Sequence, residues 1–168
     1  MGEGLQRLNA LPGEEAEAAL LACCGSRRWA RRVAAARPFR AREELFDASD
    51  RIWWELGRED WLEAFRAHPR IGEKTKAGAE PARRWSEEEQ AGAHGASVAT
   101  QQALQEANQA YEEHFGYIFI VCASGKSSEE MLVLLRQRLQ NDGETELRIA
   151  AEEQRRITRL RLEKLLGQ

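Results

Sequence analysis

The sequence predicts an all-α, single-domain helical bundle of six or more helices, with one short extended buried segment. Three features carry this. Apolar residues recur at helical spacing along most of the chain. Ser/Thr/Asp caps and Gly/Pro stops punctuate those stretches at helix-sized intervals. The one apolar run without helical period, residues 117–123, has no second strand candidate to pair with.

Taken in order, residues 14–24 place Ala18, Leu21 and Ala22 on one face after Pro12-Gly13. Ser26 caps a second helix, which must stop near Ala36 because Arg37 precedes Pro38. Residues 43–56 carry Leu45, Phe46, Ser49, Ile52, Trp53 and Leu56 as a broad stripe, and Gly57 closes it. A short helix over 60–67 turns Trp61, Leu62 and Phe65 inward and ends at His68-Pro69. Residues 71–85 are polar, with two Gly and a Pro, and read as a loop. Ser86-Glu87-Glu88-Glu89 reads as a capping box opening a long helix toward Glu113, weakened by Gly92 and Gly95 and ended by Gly116. A second box, Ser127-Ser128-Glu129-Glu130, starts a helix over 129–140. Asn141-Asp142-Gly143 makes a turn, and Thr145 caps a last helix reaching about Leu166.

Composition narrows the class. With 168 residues, 42% hydrophobic and 32% charged, the chain suits one domain, 1–168, with a real core. The longest apolar runs, 18–24 and 117–123, are far shorter than the ~20 residues of a membrane helix. No secretory or organellar address is visible at either end, so a cytoplasmic location is expected. Cys23, Cys24 and Cys122 make no disulfide framework and read as core or buried lining. His68, His94 and His114 are too scattered for zinc, so no metal is expected; His94 and His114 read as surface or capping residues. Residues 27–42 hold seven arginines and no acid. A solvated helix face offset by the acids at 14–17 and 87–89 explains them better than nucleic acid, which favours a net basic domain with stacking aromatics.

Dinucleotide, P-loop, nucleophile-elbow and His-Glu-x-x-His motifs are all missing. Three polar residues stand out instead, each with two readings. His68 at a helix end either caps a terminal carbonyl or holds a proton near neutral pH and delivers it. Glu89 either reaches back to the Ser86 amide or joins Ser86 and Gln90 in holding a polar ligand at a helix N-terminus. Arg161, among Leu160, Leu162 and Leu165, either lies along the surface or turns inward as a carboxylate clamp.

Three separated segments, His68-Pro69-Arg70-Ile71-Gly72, Ser86-Glu87-Glu88-Glu89-Gln90 and Phe115-Gly116-Tyr117-Ile118-Phe119-Ile120-Val121-Cys122-Ala123, together with Cys23-Cys24-Gly25-Ser26, Arg37-Pro38-Phe39, Arg156-Ile157 and Leu160-Arg161-Leu162, closely resemble the 2-oxo-4-hydroxy-4-carboxy-5-ureidoimidazoline (OHCU) decarboxylases. This family needs no cofactor and completes the conversion of urate to (S)-allantoin. The resemblance implies an all-α fold, often dimeric, with OHCU as substrate. His68 would be the catalytic acid and Glu89 its orienting or polarising partner. Pro69 would line the substrate, and Ser86, Gln90 and Arg161 would bind its polar groups. Phe119, Ile120, Val121, Cys122 and Ala123 would line the pocket and offer backbone groups. The loop between the His and Ser motifs varies in length within the family, so Ser86 and Glu89 are matched on the local Ser-x-x-Glu-Gln pattern. Thr75 and Lys76 receive no role. Two other functions compete: a helical interaction module docking through residues 27–42, and a ring hydrolase in which Glu89 activates water.

Overall fold

In the computed structural model, which describes residues 2–72, 81–93 and 95–167, nine α-helices and one 3-10 turn follow one another, and no strand occurs among the described residues. The helices are α1 (Glu3–Ala10), α2 (Gly13–Cys23), α3 (Arg27–Ala35), α4 (Arg42–Glu55), α5 (Arg58–Arg66), α6 (Ala82–Glu89), α7 (Val98–Phe115), α8 (Ser128–Arg138) and α9 (Gly143–Leu166). The all-α expectation holds. The chain forms two compact units, one of Met1–Ala64 with Arg155–Gln168 and one of Phe65–Gln154. Helix α9 contributes its first half to the latter unit and its second half to the former.

In the first unit, α2 packs on α3 and α3 on α4. Leu20, Cys23, Trp29, Val33, Leu45 and Ile52 are buried along the facing stripes. Ser26 caps α3 as expected, its hydroxyl accepting from the Trp29 amide at 3.2 Å. Helix α1 was not legible in the sequence. It is short, and it depends on Gly4, where a Cβ would stand 1.8 Å from the Leu166 carbonyl oxygen of α9. Five of the seven arginines of 27–42 are engaged within this unit by ion pairs or hydrogen bonds. Arg27 pairs with Glu63, Arg28 with Asp60, Arg32 with Glu55 and Arg40 with Glu44. Arg37 donates to the carbonyls of Leu8, Leu11 and Ala34. The carboxylates that pair with these arginines, Glu63, Asp60, Glu55 and Glu44, neighbour them in the fold.

Cys24 is buried, and burial pushes its thiol up to about 11. The folded thiol keeps its proton where the unfolded one, near 9.0, has lost it. Stability is therefore fully present below the unfolded value and falls as pH rises toward the folded one. Two units of difference correspond to about 3 kcal/mol. Urea unfolding at pH 8 and at pH 10.5 should show a steeper alkaline loss in the wild type than in Cys24→Ala. Equal slopes would remove Cys24 as a contributor.

The second unit departs from the sequence reading between 71 and 98. The loop ends earlier than expected, because α6 begins at Ala82 just after Pro81. Residues 73–80, with Thr75 and Lys76, lie outside the described residues, as does His94. Ser86 is not a cap: it sits inside α6, and Glu89 is that helix's last residue. Trp85, Ser86 and Glu89 form the buried face of α6. The chain then turns through Ala91–Ala93, and α7 opens at Ser97, whose hydroxyl accepts from the Thr100 amide. Two glycines explain the break in the expected long helix. A Cβ on Gly92 would lie 2.3 Å from the Lys126 carbonyl oxygen, and Gly95 has φ of +85°. Farther on, Ser127 and Glu130 form the expected capping box of α8. The cap of α9 is Asp142 instead of Thr145, its carboxylate accepting from the Thr145 amide at 2.8 Å and the Thr145 hydroxyl at 2.9 Å. Those bonds hold the Asp142 carboxyl below its usual range.

Residues 117–123 form neither helix nor strand, with Tyr117, Phe119, Ile120, Val121 and Ala123 buried. Cys122, expected as buried lining, is half-buried. The rings of Phe65, Tyr111, Phe115, Tyr117 and Phe119 meet edge-on or tilted, at centroid distances of 4.7–5.9 Å for four of the pairs.

Candidate active site

The His68-Pro69-Arg70-Ile71-Gly72 segment leaves α5 and is tied down residue by residue. The His68 amide donates to the Phe65 carbonyl at 3.1 Å, ending the helix. Arg70 forks onto Glu112 of α7 through Nε at 2.7 Å and Nη2 at 2.8 Å. Asn108 of α7, itself buried, donates to the Ile71 carbonyl at 3.2 Å. Gly72, at φ +90°, donates its amide to the Gln90 side-chain oxygen at 3.0 Å. The positive φ explains the glycine. A chain held at 70, 71 and 72, with proline at 69, leaves little freedom at His68.

His68 itself is half-buried, and its ring Nε2 lies 2.7 Å from Oε1 of Gln154 on α9. Nε2 thus reaches across to another helix. Gln154 is fully buried, and nothing in the sequence singled it out. Its only advance signal is a neutral amide among the charges of Glu152-Glu153-Gln154-Arg155-Arg156.

The buried segment 119–123 needs partners for backbone groups that no sheet satisfies. Side chains supply them. Arg138 of α8 donates to the Ile120 carbonyl at 2.6 Å. Glu153 of α9 accepts from the Cys122 amide at 3.3 Å, and Lys126 donates to the Cys122 carbonyl at 2.8 Å. Three of the backbone groups expected to face a ligand are thus already engaged. Arg138 is itself buried, its guanidinium 4.5 Å above the Phe119 ring. Its Nε donates at 2.5 Å to Glu146, which also accepts from the Tyr111 hydroxyl at 2.8 Å and Asn141 at 3.2 Å. Burial pushes the Tyr111 phenol far up, so it stays a donor.

Glu89 and Ser86 are 8% and 6% exposed, in the last turn of α6 instead of at a helix N-terminus. The ligand-holding role expected of free amides at a helix start therefore does not apply to them. Glu89 stands near Cys122, whose thiol is pushed up by burial first, then by Glu153 and, more weakly, by Glu89. Helix α9 thus meets the His motif through Gln154 and segment 119–123 through the adjacent Glu153, while α6 brings Glu89 toward that segment. Pro69 is half-buried beside His68.

A cavity of about 1000 Å³ in the same unit includes Gln90, Arg70, Asn108, Glu112 and Ser128 in its wall. Neither His68 nor Glu89 is part of that wall. Arg70 in that wall is already paired with Glu112.

In the other unit, Arg161 is 5% exposed, which overturns the surface reading. Its Nη1 donates to the Ala22 carbonyl at 3.2 Å in the last turn of α2, a position that favours a cation. Its charge also reaches the Cys24 thiol.

The family model described as OHCU decarboxylase matches residues 9–163. The chain belongs to the OHCU decarboxylase family. Known members of this carboxy-lyase family align across most of it. A 2-oxo-4-hydroxy-4-carboxy-5-ureidoimidazoline decarboxylase of Haloferax volcanii is 33% identical over 79% of this chain and 77% of its own length. The uric acid degradation bifunctional protein TTL of Arabidopsis thaliana is 41% identical over 86% of this chain. The chain spans 45% of the length of that plant protein. Among solved structures, an OHCU decarboxylase crystallised in the presence of (S)-allantoin superposes with a TM-score of 0.77 at 38% identity, covering 88% of this chain and 96% of that one.

Proposed function

We propose that this chain decarboxylates OHCU to (S)-allantoin in urate degradation, with His68 as the proton donor. The observation that carries this reading is the match, over nearly the full length of both chains, to an OHCU decarboxylase crystallised with (S)-allantoin. The family match spans both compact units, which supports treating residues 1–168 as one OHCU decarboxylase-like domain.

The substrate's chemistry accounts for the rest. Its carboxylate sits on a carbon next to a carbon–nitrogen double bond. When the carbon–carbon bond to the carboxylate breaks, the electron pair flows into that imine, so the substrate is its own electron sink. One proton, delivered to one face, then fixes the product's handedness. In this reading His68 supplies it, and Glu89 orients or polarises the imidazole. Ser86, Gln90 and Arg161 bind the polar groups of the ureido ring. Pro69, Phe119, Ile120, Val121, Cys122 and Ala123 form the wall around it. Support for Glu89 is its burial beside segment 119–123. The role of Arg161 rests on the resemblance carried by Leu160-Arg161-Leu162, the residue being buried with Nη1 on the Ala22 carbonyl. We extend the proposal to a homodimer, the state often found in this family, acting in the cytoplasm.

The test is a coupled assay in which freshly generated OHCU is given to the purified protein while circular dichroism follows allantoin. Rapid carbon dioxide release with only the (S) signal is expected. Water uptake without carbon dioxide would favour the hydrolase, and racemic allantoin at the spontaneous rate would leave a non-catalytic module.

A further inference from the structure

We propose that Gln154 is the positioning residue of the site: it holds His68 with Nε2 protonated, so that the proton His68 exchanges is the one on Nδ1. This rests on the reading of His68 as proton donor given above, and concerns a residue that lies outside the three segments carrying the family resemblance.

The argument starts from what an amide oxygen can do. Oε1 of Gln154 has lone pairs and no proton, so at 2.7 Å from the ring it accepts, and His68 Nε2 must carry hydrogen. This hydrogen bond persists whether the ring is neutral or cationic. The two states then differ only at Nδ1. Gln154 is also well placed to hold its partner still. It is fully buried in α9, a helix of 24 residues, so its own rotamers are limited by packing. His68 is constrained from the other side by Pro69 and by the ties at Arg70, Ile71 and Gly72. The ring is therefore fixed by its backbone and by its far nitrogen at once.

Neutrality of the partner matters equally. A carboxylate at position 154 would bind the imidazolium tightly and lift its proton affinity, as opposite charge does. A neutral amide orients the ring without adding that charge. Of the carboxylates on neighbouring elements, Glu153 of α9 accepts from the Cys122 amide, and Glu89 of α6 stands near the same cysteine. Glutamine at 154, flanked by Glu152 and Glu153, is thus the choice that keeps the ring aligned and the proton transferable.

The decisive measurement is nitrogen-15 NMR of histidine-labelled full-length protein, the His68 signals being assigned by their loss in His68→Asn. Above its titration, wild-type His68 should show a protonated Nε2 and a bare Nδ1. Gln154→Leu, close in volume, should lose that tautomer preference. Gln154→Glu should raise the His68 titration by about one pH unit or more. Because the donor must be protonated, activity falls as pH rises through that titration, so the alkaline limb of kcat should move up by the same interval. A merely structural glutamine would lower stability in both variants without moving either the tautomer or the limb. A bare Nε2 in the wild type, or an unchanged titration in Gln154→Glu, overturns the proposal. Should Gln154→Glu fail to fold, the tautomer in Gln154→Leu decides alone. The NMR needs no substrate: a protein with the expected tautomer but no action on OHCU would sink the proposed function and leave this inference standing.

Discussion

His68→Asn should lower the rate of OHCU decarboxylation by about 10²–10⁴-fold, the usual worth of a general acid, while the helical circular dichroism stays at wild-type intensity. The two halves of that expectation have separate causes. Asparagine has no proton to give at neutral pH, so the chemical step loses its donor. The fold survives because the segment is held by Arg70, Ile71 and Gly72 through Glu112, Asn108 and Gln90, none of which involves the imidazole. The product carries the sharper signature. With no donor on one side, the decarboxylated intermediate takes its proton from water on either face, and the little allantoin formed should be racemic. A variant that still turns over at the wild-type rate and makes only the (S) product would remove His68 from the mechanism.

How much of this was readable in advance depends on whether the cause is local. Caps and stops are local, so Ser26, Ser127 and Gly116 marked their helix ends correctly. Ser86-x-x-Glu89 has the same local signature and misled, because α6 already starts at Ala82 after Pro81 and the break after it includes a distant contact. Gly92 is needed where the Lys126 carbonyl crosses, and no window of sequence reports that crossing. Gly4 against Leu166 is the same case for α1, across most of the chain's length. In the site, His68 was visible because proline follows it and an unusual run surrounds it. Gln154, Glu153 and Arg138 were not, since a polar residue in a charged helix has no pattern distinguishing a buried face from a wet one. Arg161 had such a pattern, leucines on both sides, and of its two readings burial excludes the surface one.

Glu146→Gln should destabilise the protein by about 3–5 kcal/mol, lowering Tm by roughly 10 °C, because it leaves the buried Arg138 cation without its carboxylate. Glu146 is fully buried and Arg138 is 8% exposed, so water cannot take over the lost partner. Tyr111 and Asn141 lose their acceptor charge in the same change. Urea unfolding of Glu146→Gln, Arg138→Met and the pair Arg138→Met/Glu146→Leu separates the contributions. Removing both charges should recover much of the loss, since a well-packed apolar pair in place of a buried ion pair is often near neutral. Recovery should stop short of the wild type by about 1–3 kcal/mol, because the Ile120 carbonyl still lacks the donor that Arg138 gives it at 2.6 Å and the buried Tyr111 hydroxyl lacks its acceptor. That residue of instability is the informative part. Ile120 lies in the segment proposed to wall the substrate, so the double variant should regain stability but keep a depressed kcat. Single variants each costing under about 1 kcal/mol would mean the charges are solvated. A double variant fully active at wild-type stability would mean that Arg138 holds nothing the reaction needs.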